Sequence, residues 1–256
     1  MERRTGSSGS EWVRSLLSLT TIVLFLLPLS GCSSANQVNQ PQASTDPKAN
    51  ALSMKPIASG AVTYVALGDS TGIGIGATEG GYVARLFKRV EIVRRGSSLS
   101  NLCFSGATSE DVVRNQLERG VALRPTLVTL GIGINDIGHG IGLDQFSANF
   151  EKVLAELTTR TSASILVLNI PDISTAPRIP PPLRDQLVRQ IVVFNARIAE
   201  LTRKHNVALF DIYSSTHESL RAHPEFFSGD GFHPSDAGYE QWAGEVWPVI
   251  ENALKD

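Results

Sequence analysis

The chain has 256 residues, 42% hydrophobic and 19% charged, with a formal net charge of −2. That length suits one sizeable domain or two small ones, and the composition excludes global disorder. The near-neutral charge argues against an electrostatic nucleic-acid binder, and two cysteines exclude a disulfide-dense scaffold or a cysteine-rich structural zinc site.

The chain opens on a polar stretch with Arg3, Arg4 and Arg14, followed by an apolar run from Leu16 to Leu29. At about 14 residues the run falls short of the ~20 that a transmembrane helix needs, so the pattern reads as a secretory signal over residues 1–31. Pro28 breaks the run, and Leu29-Ser30-Gly31-Cys32 resembles a bacterial lipobox. The expectation is a lipid on Cys32, which anchors the chain to a membrane of the cell envelope with its globular part outside the cytoplasm. The plain alternative is an ordinary signal peptide with an incidental thiol. With Cys32 lipidated, Cys103 stands alone and reads as a small buried hydrophobe. Residues 33–60 are rich in Ser, Asn, Gln, Pro and Ala without an apolar period. With Cys32 they read as a flexible tether, 32–60, whose coil spans roughly 30 Å.

From Ala61 a single domain, 61–256, is expected. Ala61–Leu67 is a buried strand ended by Gly68. Gly81–Val93 carries a helical period, and Ser98–Phe104 is a second strand. Ser109 caps a helix, and Pro125–Leu130 is a third strand ended by Gly131. A helix over Leu143–Thr159 presents Phe146, Phe150, Val153, Leu154 and Leu157 on one face. Ser164–Ile170 is a fourth strand, Leu183–His205 a long helix and Val207–Ile212 a fifth strand. Ser235 caps a last helix through Ala253. Strands alternating with helices imply an α/β fold: a three-layer α/β/α sandwich around a five-stranded parallel sheet. Ligands in such folds bind beyond the carboxyl ends of the strands.

The residues after the strands are therefore the informative ones. They are Gly68-Asp69-Ser70-Thr71-Gly72, Phe104-Ser105-Gly106-Ala107-Thr108, Gly131-Ile132-Gly133-Ile134-Asn135-Asp136 and, past a longer loop, Asp230-Gly231-Phe232-His233-Pro234. Together they hold a hydroxyl, a flexible backbone donor, an amide, a carboxylate and an imidazole, the parts that acyl transfer needs. A serine is a weak nucleophile until a base removes its proton, and an imidazole can do so near neutral pH. A carboxylate three residues from the imidazole is close enough to orient it.

These segments resemble, in order, the blocks of the SGNH (GDSL) hydrolases, over about Ala61 to Ala253. The resemblance implies a flavodoxin-like fold, an ester hydrolase with a covalent acyl-enzyme, and no metal or organic cofactor. It makes Ser70 the nucleophile, His233 the base and Asp230 its orienter. Ser70, Gly106 and Asn135 become the oxyanion donors. Two departures are visible: Thr71 stands where the name-giving leucine would, and Cys103 where many members have glycine. Substrates in that family include lipids, lysophospholipids, thioesters and acetylated sugars. The loop Ile170–Leu183 is expected to shape an acyl pocket, with Ser214–Gly229 as its other wall.

Each residue has a plainer reading. Ser70 and Asn135 could be helix caps, Asp230 a turn residue, Asp69 a ligand of turn amides, and Asp136 a first-turn carboxylate under the Asn135 loop. His205 suits a helix end, His217 and His223 read as solvated, and His139 is a candidate for the cleft. Gly68–Gly72 also satisfies the G-x-S-x-G elbow of α/β-hydrolases, but a single strand precedes it here. Gly72-Ile73-Gly74-Ile75-Gly76-Ala77 fits a dinucleotide fingerprint, but no acidic residue follows in Asn101–Gly106. A non-catalytic or nucleotide-binding α/β lipoprotein is the alternative reading.

Overall fold

The computed structural model describes residues 53–255. The expected signal segment, Cys32 and most of the expected tether lie outside the described residues. The strands are β1 (Thr63–Gly68), β2 (Ser98–Asn101), β3 (Leu127–Gly131), β4 (Ser164–Leu168) and β5 (Ala208–Phe210). The helices are α1 (Ser70–Ile73), α2 (Tyr82–Val93), α3 (Ser109–Asp111), α4 (Leu117–Ala122), α5 (Ile134–Gly138), α6 (Leu143–Arg160), α7 (Pro181–Lys204), α8 (Ile212–Ala222) and α9 (Asp236–Ala253).

The strands pair in parallel in the order β2-β1-β3-β4-β5, the flavodoxin-like order. The register sets Val65 beside Val128 and Val128 beside Ile165. Side chains alternate across a strand, so β1 feeds two cores. Val65 and Leu67 join Val128, Leu130 and Val167 under α4, α6 and α7. Tyr64 and Ala66 join Leu127 and Leu166 under α2 and α9. These are the three expected layers. The order reverses between β1 and β3, and the crevice of such a sheet opens there.

Helix α6 buries Phe146, Phe150, Val153, Leu154 and Leu157, the face read from its period. Each such side chain contributes about 1.5–3 kcal/mol when fully buried. Proline at the first turn of α7 fits a position whose N–H has no helical partner, and Arg203 and Lys204 complement the dipole at its far end. Ser235 caps α9 as expected, accepting from the Gly238 N–H.

Several expectations need correction. The cap of α3 is Thr108, not Ser109: Thr108 and Asp111 form a capping box, which Ser109 cannot build with its own third neighbour. Met54 and Ile57, assigned to the tether, are buried against the α2/α9 core. The Ile57 N–H donates to Ala253 O at 2.7 Å and Ser164 Oγ to Lys55 O at 2.7 Å, so the chain is docked from about residue 54. Two apolar residues in a polar stretch carry no period, yet they suffice to fill a groove. Helix α8 stands where a longer loop is expected after β5, because polar residues dominate it; its cap is Asp211, which accepts from the Ser214 N–H.

Candidate active site

Four turns meet beyond the carboxyl ends of β1 and β3. Gly68 ends β1, and buried Gln116 holds both of its backbone groups: the Gly68 N–H donates to Gln116 Oε1 and Gln116 Nε2 donates to Gly68 O, each at 2.8 Å. Gln116 ends a π-helical turn over Val112–Gln116, a wide turn that often marks functional sites. Asp69 then caps α1 by accepting from the N–H and hydroxyl of Thr71, so the cap is Asp69 rather than Ser70. Burial pushes the Asp69 carboxyl up, against the Thr71 hydrogen bonds that pull it down. Asn101 ties the second turn to the first: its Nδ2 donates to Gly72 O at 2.9 Å.

His233 reaches Ser70 across the chain, with Nε2 3.0 Å from Ser70 Oγ. Its Nδ1 lies 2.6 Å from Asp230 Oδ2. Asp230 Oδ1 accepts from the N–H groups of Phe232 and His233 and from Ser228 Oγ. Burial raises the Asp230 pKa, but these hydrogen bonds, the His233 ring first, outweigh it and hold the carboxyl well below the usual carboxylate range. An ionised carboxylate only accepts, so Nδ1 carries the proton and Nε2 is left to accept from the Ser70 hydroxyl.

Gly106 takes φ +78°, and no atom lies within 4 Å of where its Cβ would stand. The backbone conformation, not space, calls for glycine. Gly133 takes φ +131°, and a Cβ there would also meet Ile170 Cδ1 at 2.8 Å. That turn carries Asn135, whose Nδ2 donates to Ala107 O at 2.9 Å. Gly133 caps α5, so Asn135 is not a cap. Asp136 is buried beneath it and accepts from Ser109 N–H and Oγ; burial raises its pKa more than those bonds lower it.

The site opens into a small cavity of about 40 Å³. Ser70, His233, Ile132, Ile170, Ile173 and Trp242 are among its walls. The start of the loop after β4 therefore lines it, as expected, whereas the Ser214–Gly229 stretch does not. That stretch forms α8 and a 3₁₀ turn, and Leu220 and Phe227 turn into the α6/α7 core instead. His139 caps the exposed end of α5 and is not among the cavity walls. His205 ends α7, as read, and His223 is exposed. His217 is not simply solvated: it pairs with buried Asp172 at 2.8 Å. Among the described residues, no group of three or more His, Cys, Asp or Glu is arranged to hold a metal.

Sequence reasoning missed the clasp that holds the two halves of the site together. Asp236, three residues past His233, accepts from Thr78 N–H and Oγ1, from Glu79 N–H and from Arg85 Nη2, the last at 2.6 Å. Those donors follow Ser70 in the chain. The Thr78 N–H first, then Glu79 and Arg85, hold the Asp236 carboxyl down at about 2 from 3.8. A depressed carboxyl stabilises the fold above its unfolded pKa and loses that contribution as pH falls through the folded value. The clasp is thus complete above about pH 4 and lost toward pH 2. Asp236→Asn is expected to lower the melting temperature at pH 5 and to flatten its fall between pH 4 and 2. Thermal melts across that range check it; an unchanged acid limb would refute the assignment.

The chain matches the GDSL-like lipase/acylhydrolase family over residues 66–241. No curated protein matches it. Among solved structures it resembles LAE5, an alpha/beta hydrolase enzyme from the metagenome of Lake Arreo, at 21% identity and TM-score 0.64, covering 78% of this chain and 99% of that one. It also resembles the acetylxylan esterase Axe2 of Geobacillus stearothermophilus, at 20% identity and TM-score 0.61, covering 77% and 98%. A member of the lipolytic G-D-S-L family from Veillonella parvula matches at 19% identity and TM-score 0.62, covering 75% and 99%. At these identities the structures speak for the fold, and the family match, which takes in more than half of the chain, speaks for the class. The chain belongs to the GDSL-like lipase/acylhydrolase family and is a carboxylic ester hydrolase.

Proposed function

We propose that Ser70, His233 and Asp230 are the triad of this ester hydrolase. The observation that carries the reading is the unbroken hydrogen-bonded chain from Ser70 Oγ through the His233 ring to Asp230, made between residues 163 apart in sequence. In the reaction Ser70 Oγ attacks the ester carbonyl carbon while its proton passes to His233 Nε2. The imidazolium, stabilised by Asp230, returns that proton to the departing alcohol. Water then attacks the acyl-enzyme with the same His233 as base, and Ser70 and a carboxylic acid are released.

The oxyanion is held by the Ser70 N–H, the Gly106 N–H and the Asn135 amide. Among the described residues neither backbone N–H has another acceptor. One Asn135 N–H is spent on Ala107 O, which fixes the amide plane and leaves the second for substrate. The acid of the ester lies in the mostly apolar cavity beside Ser70. Its modest size and the likeness to an acetylxylan esterase favour a small acyl group, such as the acetyl of an acetylated sugar, over a long lipid chain. Hydrolysis of nitrophenyl acetate and of acetylated oligosaccharides, compared with long-chain esters, tests this. Faster turnover of the long-chain esters would overturn the acyl assignment.

The lipobox-like segment supports a membrane-anchored enzyme of the cell envelope, lipidated at Cys32. Cys32→Ser is expected to abolish incorporation of labelled fatty acid and to leave ester hydrolysis intact, since the domain is built from residues far along the chain. Labelling that persists in Cys32→Ser would remove the anchor.

A further inference from the structure

We infer that Asp172 and His217 form a second Asp–His pair, outside the triad, that braces one wall of the cavity and so determines which acyl groups the enzyme accepts. The inference rests on Ser70 being the nucleophile at the mouth of that cavity.

The wall is the loop between β4 and α7. Ile170, Pro171 and Ile173 line the cavity, and Asp172 lies among them. Asp172 is 1% exposed, so its carboxylate is held inside the protein rather than in water. Its Oδ1 accepts from the Ser174 N–H at 2.9 Å, which curls the loop on itself. Its Oδ2 lies 2.8 Å from His217 Nδ1, an ion-pair distance at an angle too poor for a good hydrogen bond. Arg221, one turn on along α8, adds its Nη2 at 3.7 Å. Tyr213, one turn back, stacks on the His217 ring with centroids 5.6 Å apart. Glu218 faces the other ring nitrogen at 3.8 Å.

The two ends of the loop are held by hydrogen bonds to their backbone groups. Asn195 takes both backbone groups of Ile170, and the Arg178 N–H donates to Gly231 O at 2.8 Å, inside the turn that carries Asp230 and His233. At the foot of the wall Asn169 donates to Asp211 Oδ1 and accepts from the Tyr213 N–H at the start of α8; beyond Ile170, the Asp172 carboxylate ties the wall to the middle of that helix. A buried carboxylate that loses its polar partners is strongly unfavourable, so the wall keeps the position in which Asp172 meets His217 and Arg221. A wall fixed in this way discriminates among acyl groups by shape; a wall whose Asp172 tie is cut can shift beyond Ile170 and yields to each of them. No catalytic atom is touched, so Asp172 and His217 are positioning residues.

The test measures kcat/KM for a series of nitrophenyl esters from acetyl to decanoyl, well below the melting temperature. His217→Ala and Asp172→Asn are each expected to flatten the profile, reducing the ratio between best and worst acyl chains at least fivefold. His217→Gln, whose amide can face the carboxylate, is expected to keep the ratio within about twofold of wild type. A merely structural pair would lower the melting temperature and leave the ratio unchanged. Asp172→Asn, nearly isosteric and uncharged, provides the reading if His217→Ala does not fold. Unchanged ratios in the folded variants overturn the inference. Activity retained by Ser70→Ala would instead overturn the nucleophile assignment on which it rests.

Discussion

Ser70→Ala and His233→Ala are each expected to lower kcat by on the order of 10⁵–10⁶, and the double variant to be no slower than either. The two side chains perform one step: the hydroxyl attacks only as the imidazole takes its proton across the 3.0 Å contact. Once one is gone, the other has nothing left to do, so their losses cannot multiply. Asp230→Asn should cost less, about 10⁴, because the imidazole and hydroxyl remain. An asparagine amide can donate to Nδ1, which would place the ring proton on Nε2 and leave Ser70 facing a donor. Steady-state kinetics on the three single variants and the Ser70/His233 double variant check the set. If the single losses multiply in the double variant, Ser70 and His233 do not act as a pair.

The architecture was legible because local signals agreed with the global plan. The apolar runs of β1, β3 and β4 are buried on both faces, so they read as unbroken hydrophobic segments closed by Gly or Pro. The period of α6 named its buried face correctly. The site residues were legible for a different reason: each lies just past a strand, and a parallel sheet gathers such positions at one edge. What stayed hidden depends on pairs distant in sequence. Nothing local marks Gln116 as the residue that holds Gly68, or Asp236 as the acceptor for Thr78, Glu79 and Arg85. His217 looked solvated because its neighbours are polar; its partner, Asp172, is 45 positions away in a loop. Helix α8 is hidden for the same reason, since its buried positions Ile212, Thr216 and Leu220 include only two apolar side chains among serines and charged residues.

Asn135→Ala is expected to lower kcat by about 10²–10³, some 3–4 kcal/mol of transition-state stabilisation, with KM little changed. The reasoning starts from what the amide touches. One of its N–H groups is fixed on Ala107 O, and the side chain is neither a helix cap nor fully buried. A neutral carbonyl oxygen in the bound ester gains little from the second N–H, whereas the charged oxygen of the tetrahedral intermediate gains a great deal, so the loss falls on kcat rather than on binding. If Asn135 serves only to hold the Ala107 turn, its removal costs about 1 kcal/mol of stability and kcat survives. Kinetics and a denaturant melt on the same variant separate the two. A normal kcat with a lowered midpoint would take Asn135 out of the site and leave the oxyanion to the N–H groups of Ser70 and Gly106.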